Sequence, residues 1–183
     1  MSNSETRRKA ASARLEQIRT KSASFRPHEE EKCIFAADVM LGRLAKWLRI
    51  AGFNVLYSNK FSDDELISIS NREGRILLSR DTRLLVRKSV KTFIYLESEN
   101  TLDQLKQVLE QIRQARLPAL LTRCLSCNEA LVEAPRESIQ DRVPAFVYKT
   151  QSSFKSCPKC GKIFWAGTHR ASVLRTLENL LYR

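Results

Sequence analysis

Two hydrophobic spacings alternate along this chain. Short continuous apolar runs fall at residues 33–37, 54–57, 75–79 and 92–96. Runs of this length, bounded by turn residues, predict strands buried on both faces. Between them the spacing turns helical. Leu41, Leu44, Ala45, Leu48 and Ala51 share one face of a helix predicted over 40–51 and stopped by Gly52. Leu102, Leu105, Val108, Leu109 and Ile112 define another over 101–115, with Pro118 as its end. Ser62 stands three residues before Glu65, the pattern of a capping box, ahead of a helix turning Leu66, Ile67 and Ile69 inward. Leu84, Leu85 and Val86 predict a short helix after the third strand. Strand–helix alternation with such short connections predicts parallel strands joined by right-handed crossovers. A doubly wound order places the first and third strands side by side, with the ligand-binding crevice beyond their carboxyl ends. Both of these strands lead into an aspartate: Phe35-Ala36-Ala37-Asp38 and Ile76-Leu77-Leu78-Ser79-Arg80-Asp81.

The flanks read differently. Residues 1–32 are polar, with only Leu15 and Ile18 to bury from their one helical stretch, and predict a flexible basic N-terminal extension. Residues 33–118 form the α/β domain, and 119–183 a small second module. In that module Cys124-Leu-Ser-Cys127 and Cys157-Pro-Lys-Cys160 are separated by 29 residues. Two such knuckles predict a structural zinc site of four thiolates. The spacer leaves room for an extra hairpin, with strands at 130–133 and 146–150 and Pro135 and Pro144 as punctuation. Phe164-Trp165-Ala166-Gly167-Thr168-His169 leads into a last helix, with Thr168 as N-cap and Val173, Leu174, Leu177 and Leu180 inward. Cys33, in the first strand, is read as a core residue.

Charge changes the picture more than composition does. The formal net charge is +12, with eight basic against five acidic residues in 1–32, fourteen against ten in 33–118 and ten against five in 119–183. An excess spread over the whole chain points to a polyanionic partner, RNA first, with ribosome or tRNA among the forms it takes. No run approaches the ~18 apolar residues of a membrane span, no secretory h-region opens the chain, and cysteines paired as CxxC fit a reducing compartment. A cytoplasmic protein is expected.

Phosphodiester hydrolysis needs an activated water and compensation of charge on the phosphate, and carboxylates around Mg or Mn ions supply both. Asp38 and Asp81 are the first candidates, with Asp63 or Asp64 approaching from the neighbouring helix entrance. Acids also belong at a helix N-terminus through the macrodipole, so Asp63, Asp64 and Glu65 have a structural explanation as well. Arg80 adjoins Asp81 and is placed to meet a phosphate or to pair with an acid. Arg43, Lys46 and Arg49 recur on the helix after Asp38 as a basic stripe, and Trp165 and His169 are candidates to stack on or bond a nucleotide. With two histidines, one of them His28 in the extension, no nucleophilic triad is available, and five glycines form no phosphate-cradling loop.

Taken together, Asp38-Val-Met-Leu-Gly-Arg-Leu-Ala-Lys-Trp-Leu-Arg-Ile-Ala-Gly-Phe, Asp63-Asp64-Glu65-Leu66, Arg75-Ile-Leu-Leu-Ser-Arg-Asp81, the two knuckles and Phe164-Trp-Ala-Gly-Thr-His169 resemble the PIN-like ribonuclease family called the Mut-seven C-terminal RNase domain. The resemblance covers about residues 33–175. It implies a PIN-like sheet with an acidic Mg/Mn site at Asp38, Asp63 or Asp64, and Asp81, fused to a zinc ribbon and acting on RNA. Glu97 or Glu99 is the available fourth acid, and Ser79 stands where the family more often has threonine. The alternative is a non-catalytic RNA- or ribosome-binding zinc-ribbon protein on the same scaffold, for which the basic excess and the ribbon suffice.

Overall fold

The structure, a computed structural model, describes residues 3–25, 33–112, 118–167 and 169–181, with only the backbone at 3, 4, 169 and 181. The four apolar runs become β1 (Ile34–Ala37), β2 (Asn54–Tyr57), β3 (Ile76–Ser79) and β4 (Phe93–Tyr95). They form one parallel sheet in the order β2-β1-β3-β4, so β1 and β3 are neighbours and Ala37 lies opposite Leu78. Side chains alternate across this sheet as the strand period demands. Phe35, Ala37, Leu78 and Ile94 face one core, and Ala36, Leu77 and Phe93 the other.

Helices cover both faces. After a 3₁₀ turn at Val39–Leu41 comes α2 (Gly42–Ile50), and α5 (Thr101–Gln111) packs beside it on the first face. Leu41, Leu44, Leu48, Leu105, Val108 and Ile112 are each 1% exposed or less there. Burying a side chain of that size contributes roughly 1.5–3 kcal/mol. Leu102, predicted inward, is 40% exposed, because it occupies the first turn beside the cap Asn100. On the opposite face lie α3 (Asp63–Glu73) and the short α4 (Thr82–Leu85). The Ser62–Glu65 capping box forms, and Gly74 closes α3 in the left-handed conformation. Of the three apolar residues predicted inward in α3, Leu66 and Ile67 are buried and Ile69 is half-buried.

Three features differ from expectation. The first is the N-terminal segment. Instead of a free extension, α1 (Asn3–Ser24) docks on the outer edge of β4 with Ile18 3% exposed. Few apolar side chains suffice because backbone polarity does part of the work. Ser22 Oγ accepts the Tyr95 N–H at 2.9 Å, which covers an edge donor, while Gln111 Nε2 donates to Ser22 O and Arg19 makes two bonds to Glu97. The second is at 146–150, where the predicted strand is the helix α6 (Ala145–Thr150). Pro144 sets its entrance and Arg136 donates to the carbonyls of Tyr148 and Gln151, satisfying its last turn. The third is the final helix, α7 (His169–Leu181), assigned by the 119–183 division to the second module, whose Leu177 turns inward as predicted but into the core beside α2 and α5. The predicted N-cap Thr168 and the end of the 101–115 helix lie outside the described residues.

The second module is a three-stranded antiparallel sheet of β5 (Val132–Glu133), β6 (Phe154–Ser156) and β7 (Ile163–Trp165), in that order. Its core is small: Ile139, Val143 and Phe154, with Ala134, Val147, Tyr148 and Ile163 against them. Among the described residues no helix is long and apolar enough to cross a membrane.

Candidate functional site

Because β1 and β3 are parallel neighbours, Asp38 and Asp81 emerge at the same sheet edge, and one hydroxyl joins them. Ser79, fully buried at the end of β3, donates from Oγ to Asp38 Oδ2 at 2.5 Å and accepts the Asp81 N–H at 2.9 Å. The other oxygen of Asp38 accepts the Val39 N–H at 2.6 Å, and its own N–H extends the β1–β3 ladder to Leu78 O. Asp38, 4% exposed, thereby caps the turn that leads into α2. Asp81 caps α4 by accepting the Arg83 N–H at 2.7 Å. Each acid thus has a local structural role and also stands beyond the carboxyl end of its strand.

A basic bowl of about 530 Å³ opens next to this pair. Arg43 and Lys46 from α2, Arg80 from the β3 end and Tyr57 from the β2 end line it, with Glu99, Gln104 and the exposed Met40. Arg80 Nη2 donates to Glu99 Oε1 at 2.8 Å, and this ion pair holds the Glu99 carboxyl below its ordinary value. The buried Arg80 Nε has no hydrogen-bond partner among the described residues. With Arg43 and Lys46 in the same lining, the bowl presents three cations against the one acid Glu99, a balance that suits an anion. Tyr57 donates its hydroxyl to Val39 O at 3.0 Å, and its ring is the reason position 42 is glycine. A Cβ on Gly42 would sit 2.5 Å from Tyr57 Oη.

The other predicted acids are each held by an arginine, Glu99 by Arg80 as above. Asp63 and Asp64, on the first turn of α3, both bond Arg87, at 2.8 and 2.7 Å. Glu97 is held by Arg19 of α1. Among the described residues the only group of three or more candidate metal ligands that converges is the cysteine quartet. Asp38, Asp63 and Asp81 are not gathered into such a group. Asp38 and Asp81 still suit Mg or Mn in one respect. Mg²⁺ retains several waters and takes one or two carboxylates, with substrate phosphates supplying further oxygens.

Arg49 departs from the predicted basic stripe. At about 100° per residue, six residues after Arg43 is about 120° around the helix from it, and the side chain turns inward to 3% exposure. There it donates to Val55 O at 2.8 Å, Leu125 O at 2.9 Å and Ser126 O at 3.2 Å. It ties α2 and β2 to the first knuckle.

The four sulfurs Cys124, Cys127, Cys157 and Cys160 lie within 4.8 Å of one another, with pairs at 3.6 and 3.3 Å. A tetrahedron of ~2.3 Å zinc–sulfur bonds has edges near 3.8 Å, so the quartet fits a zinc ion and the module is compatible with a zinc ribbon. The knuckles match in backbone shape. Asn128 (φ 66°) and Gly161 (φ 70°) follow their second cysteines in the left-handed region, and their N–H groups return to Cys124 O and Cys157 O. Asn and Gly are the residue types that tolerate this conformation. Burial, with the thiols of Cys157 and Cys124, pushes Cys127 up to about 12. For Cys157 burial acts upward too, but the N–H groups of Cys160 and Lys159 and the Cys127 thiol draw it down to about 7.

Trp165, 39% exposed, lies at the end of β7, and the side chain of His169 is outside the described residues. Sequence reasoning missed Tyr57, Gln104 and Arg87. Only the apolar-run boundary at Tyr57 carried a signal for any of them.

No curated protein and no solved structure matches the chain. The sequence model of the Mut7-C RNAse domain matches residues 33–177, a span that holds the parallel sheet with its two aspartates, the bowl and the cysteine quartet. The chain therefore belongs to the Mut7-C RNAse domain family.

Proposed function

We propose that the protein is a metal-dependent ribonuclease with a PIN-like catalytic edge, hydrolysing RNA phosphodiester bonds where β1 and β3 end. The observation that carries this reading is the Asp38–Ser79–Asp81 bridge beside the basic bowl. Family membership supports a nuclease role and RNA as substrate. Asp38 and Asp81 are the residues to hold Mg²⁺ or Mn²⁺, which when bound lowers the pKa of a coordinated water and neutralises phosphate charge. Ser79 fixes the carboxylate of Asp38 and the backbone of Asp81, so neither must reorganise on binding. Arg43 and Lys46 attract the strand, and the partly exposed Arg80 guanidinium meets a phosphate. Asp63 and Asp64 form a second acidic pair at the α3 entrance, held by Arg87.

A second reading has its own support. Both oxygens of Asp38 are already hydrogen-bonded, and only the thiolates form a metal-ready group among the described residues. That favours a non-catalytic RNA-binding protein. Purified protein incubated with an unstructured RNA separates the two. Products that need Mg²⁺ or Mn²⁺ support the nuclease. Salt-dependent binding without added divalent ions, and no product with them, supports the binding protein.

A further inference from the structure

A second concavity lies where the linker meets the zinc module. It shares no lining residue with the basic bowl. Its volume is about 210 Å³, room for a nucleobase ring. Leu120 and Leu121 precede the first knuckle, Leu125 and Leu131 belong to the knuckle region, and Phe164 and Trp165 come from the end of β7. Arg123, Lys155 and Arg170 supply its charge, and no acid lines it. Lys155 reaches Glu133 at 3.6 Å, outside the lining.

Three observations give the slot a purpose. Leu120 is 38% exposed and Trp165 39%, so large apolar surface is left open in the same lining. Leu121 is held at φ 57°, a conformation that strains a non-glycine residue, with its N–H on Ile50 O at 2.8 Å. Arg123 is fixed by bonds to Gly52 O and Asn128 O, so the wall is built rather than left to loop motion.

We propose that this slot takes one unpaired base of an RNA strand, stacked on Trp165, with the adjoining phosphates on Arg170 and Lys155. The choice of RNA rests on the ribonuclease reading above. The choice of a single base rests on the slot's lining: apolar side chains, an exposed indole to stack on and three cations with no acid among them, while a duplex keeps its base faces stacked within itself.

Equilibrium binding of a fluorescein-labelled, unstructured oligoribonucleotide, and of a matched RNA duplex, to the full zinc-loaded chain without added Mg²⁺ or Mn²⁺ tests it. Trp165→Ala is expected to weaken single-strand binding about tenfold and to leave duplex binding unchanged. Trp165→Phe is expected to recover most of the loss. Arg170→Ala is expected to reduce the salt slope of single-strand binding by about one. If Trp165→Ala loses zinc or melts early, Leu120→Glu in the same lining decides, since a carboxylate there must weaken single-strand binding too. Wild-type affinity in these variants, or equal losses for strand and duplex, overturns the slot. Cleavage plays no part in this readout. Slot-dependent binding by a chain that cuts nothing keeps the slot and removes the ribonuclease reading. Cleavage by a chain whose slot variants bind as wild type does the reverse.

Discussion

Two side chains carry more of the architecture than their residue types announce. Ser79 is fully buried between two carboxylate-bearing strand ends, and its hydroxyl both donates and accepts. Ser79→Ala leaves Asp38 Oδ2 and the Asp81 N–H without that partner, which costs about 1–3 kcal/mol. The expected result is a lower urea midpoint, together with slower RNA cleavage, read in parallel assays on one preparation. Arg49 is the second. Its replacement by Met strips hydrogen bonds from the carbonyls of Val55, Leu125 and Ser126 in a largely buried place, a loss of about 3 kcal/mol. Arg49→Lys is expected to rescue little, because one ammonium cannot reproduce a planar fork. Equal urea midpoints for Arg49→Lys and wild type would contradict this account of the clamp.

At the scale of elements, the sheet has two open edges, and each is closed by a segment outside the α/β domain predicted at 33–118. At the β4 edge, α1 places Ser22 on the Tyr95 N–H. At the β2 edge, Asn128 of the first knuckle accepts the Val55 N–H at 2.9 Å, and Arg49 covers Val55 O. Uncovered edges template aggregation. Removal of residues 1–25 is therefore expected to give a chain that aggregates at concentrations where the full chain remains monodisperse by light scattering. The linker that brings the knuckle to β2 crosses Gly52, whose φ is 90° and whose added Cβ would lie 2.2 Å from Ala119 O. Gly52→Ala is expected to lower thermal stability by at least about 2 kcal/mol, from left-handed strain plus a backbone clash.

These same elements show what a sequence does and does not display. The four strands, α2, α3 and α5 were legible because each repeats its apolar spacing within a few residues. The Ser62–Glu65 capping box was legible because it is a local exchange of hydrogen bonds. Docking of α1 was not, since it depends on Ser22, Arg19 and Gln111 meeting partners more than seventy residues away. The helix at Ala145–Thr150 was misread as a strand because Phe146, Val147 and Tyr148 have strand-like propensity, and the cap from Arg136 overrides it. In the site, Asp38, Asp81, Arg80 and the four cysteines stood out as motif residues. Asp63 and Asp64 stood out equally, yet their pairing with Arg87 depends on how α3 meets the end of α4.

For the whole molecule, the four-cysteine module and the sheet form one connected structure. Arg49 and Asn128 link the first knuckle to α2 and β2, and α7 returns from the ribbon to the core of the sheet domain. Metal binding should therefore stabilise more than the ribbon. One zinc per chain is expected by elemental analysis. Stripping it with a chelator should lower the melting temperature of the entire chain rather than melt the module alone; two separate transitions, the larger one unmoved, would count against the linkage. Acid should strip it as well, since protonating the thiolates competes with the metal, so affinity falls as pH drops.

If Asp38 and Asp81 together make a catalytic edge, cleavage needs both carboxylates. The most direct measurement is cleavage of an unstructured RNA in Mg²⁺ or Mn²⁺ by wild type and by the Asp38→Asn, Asp81→Asn double variant, each with zinc content and melting temperature recorded. A loss of cleavage of at least about a hundredfold is expected, with the zinc retained. Undiminished cleavage by the folded, zinc-loaded double variant would contradict it.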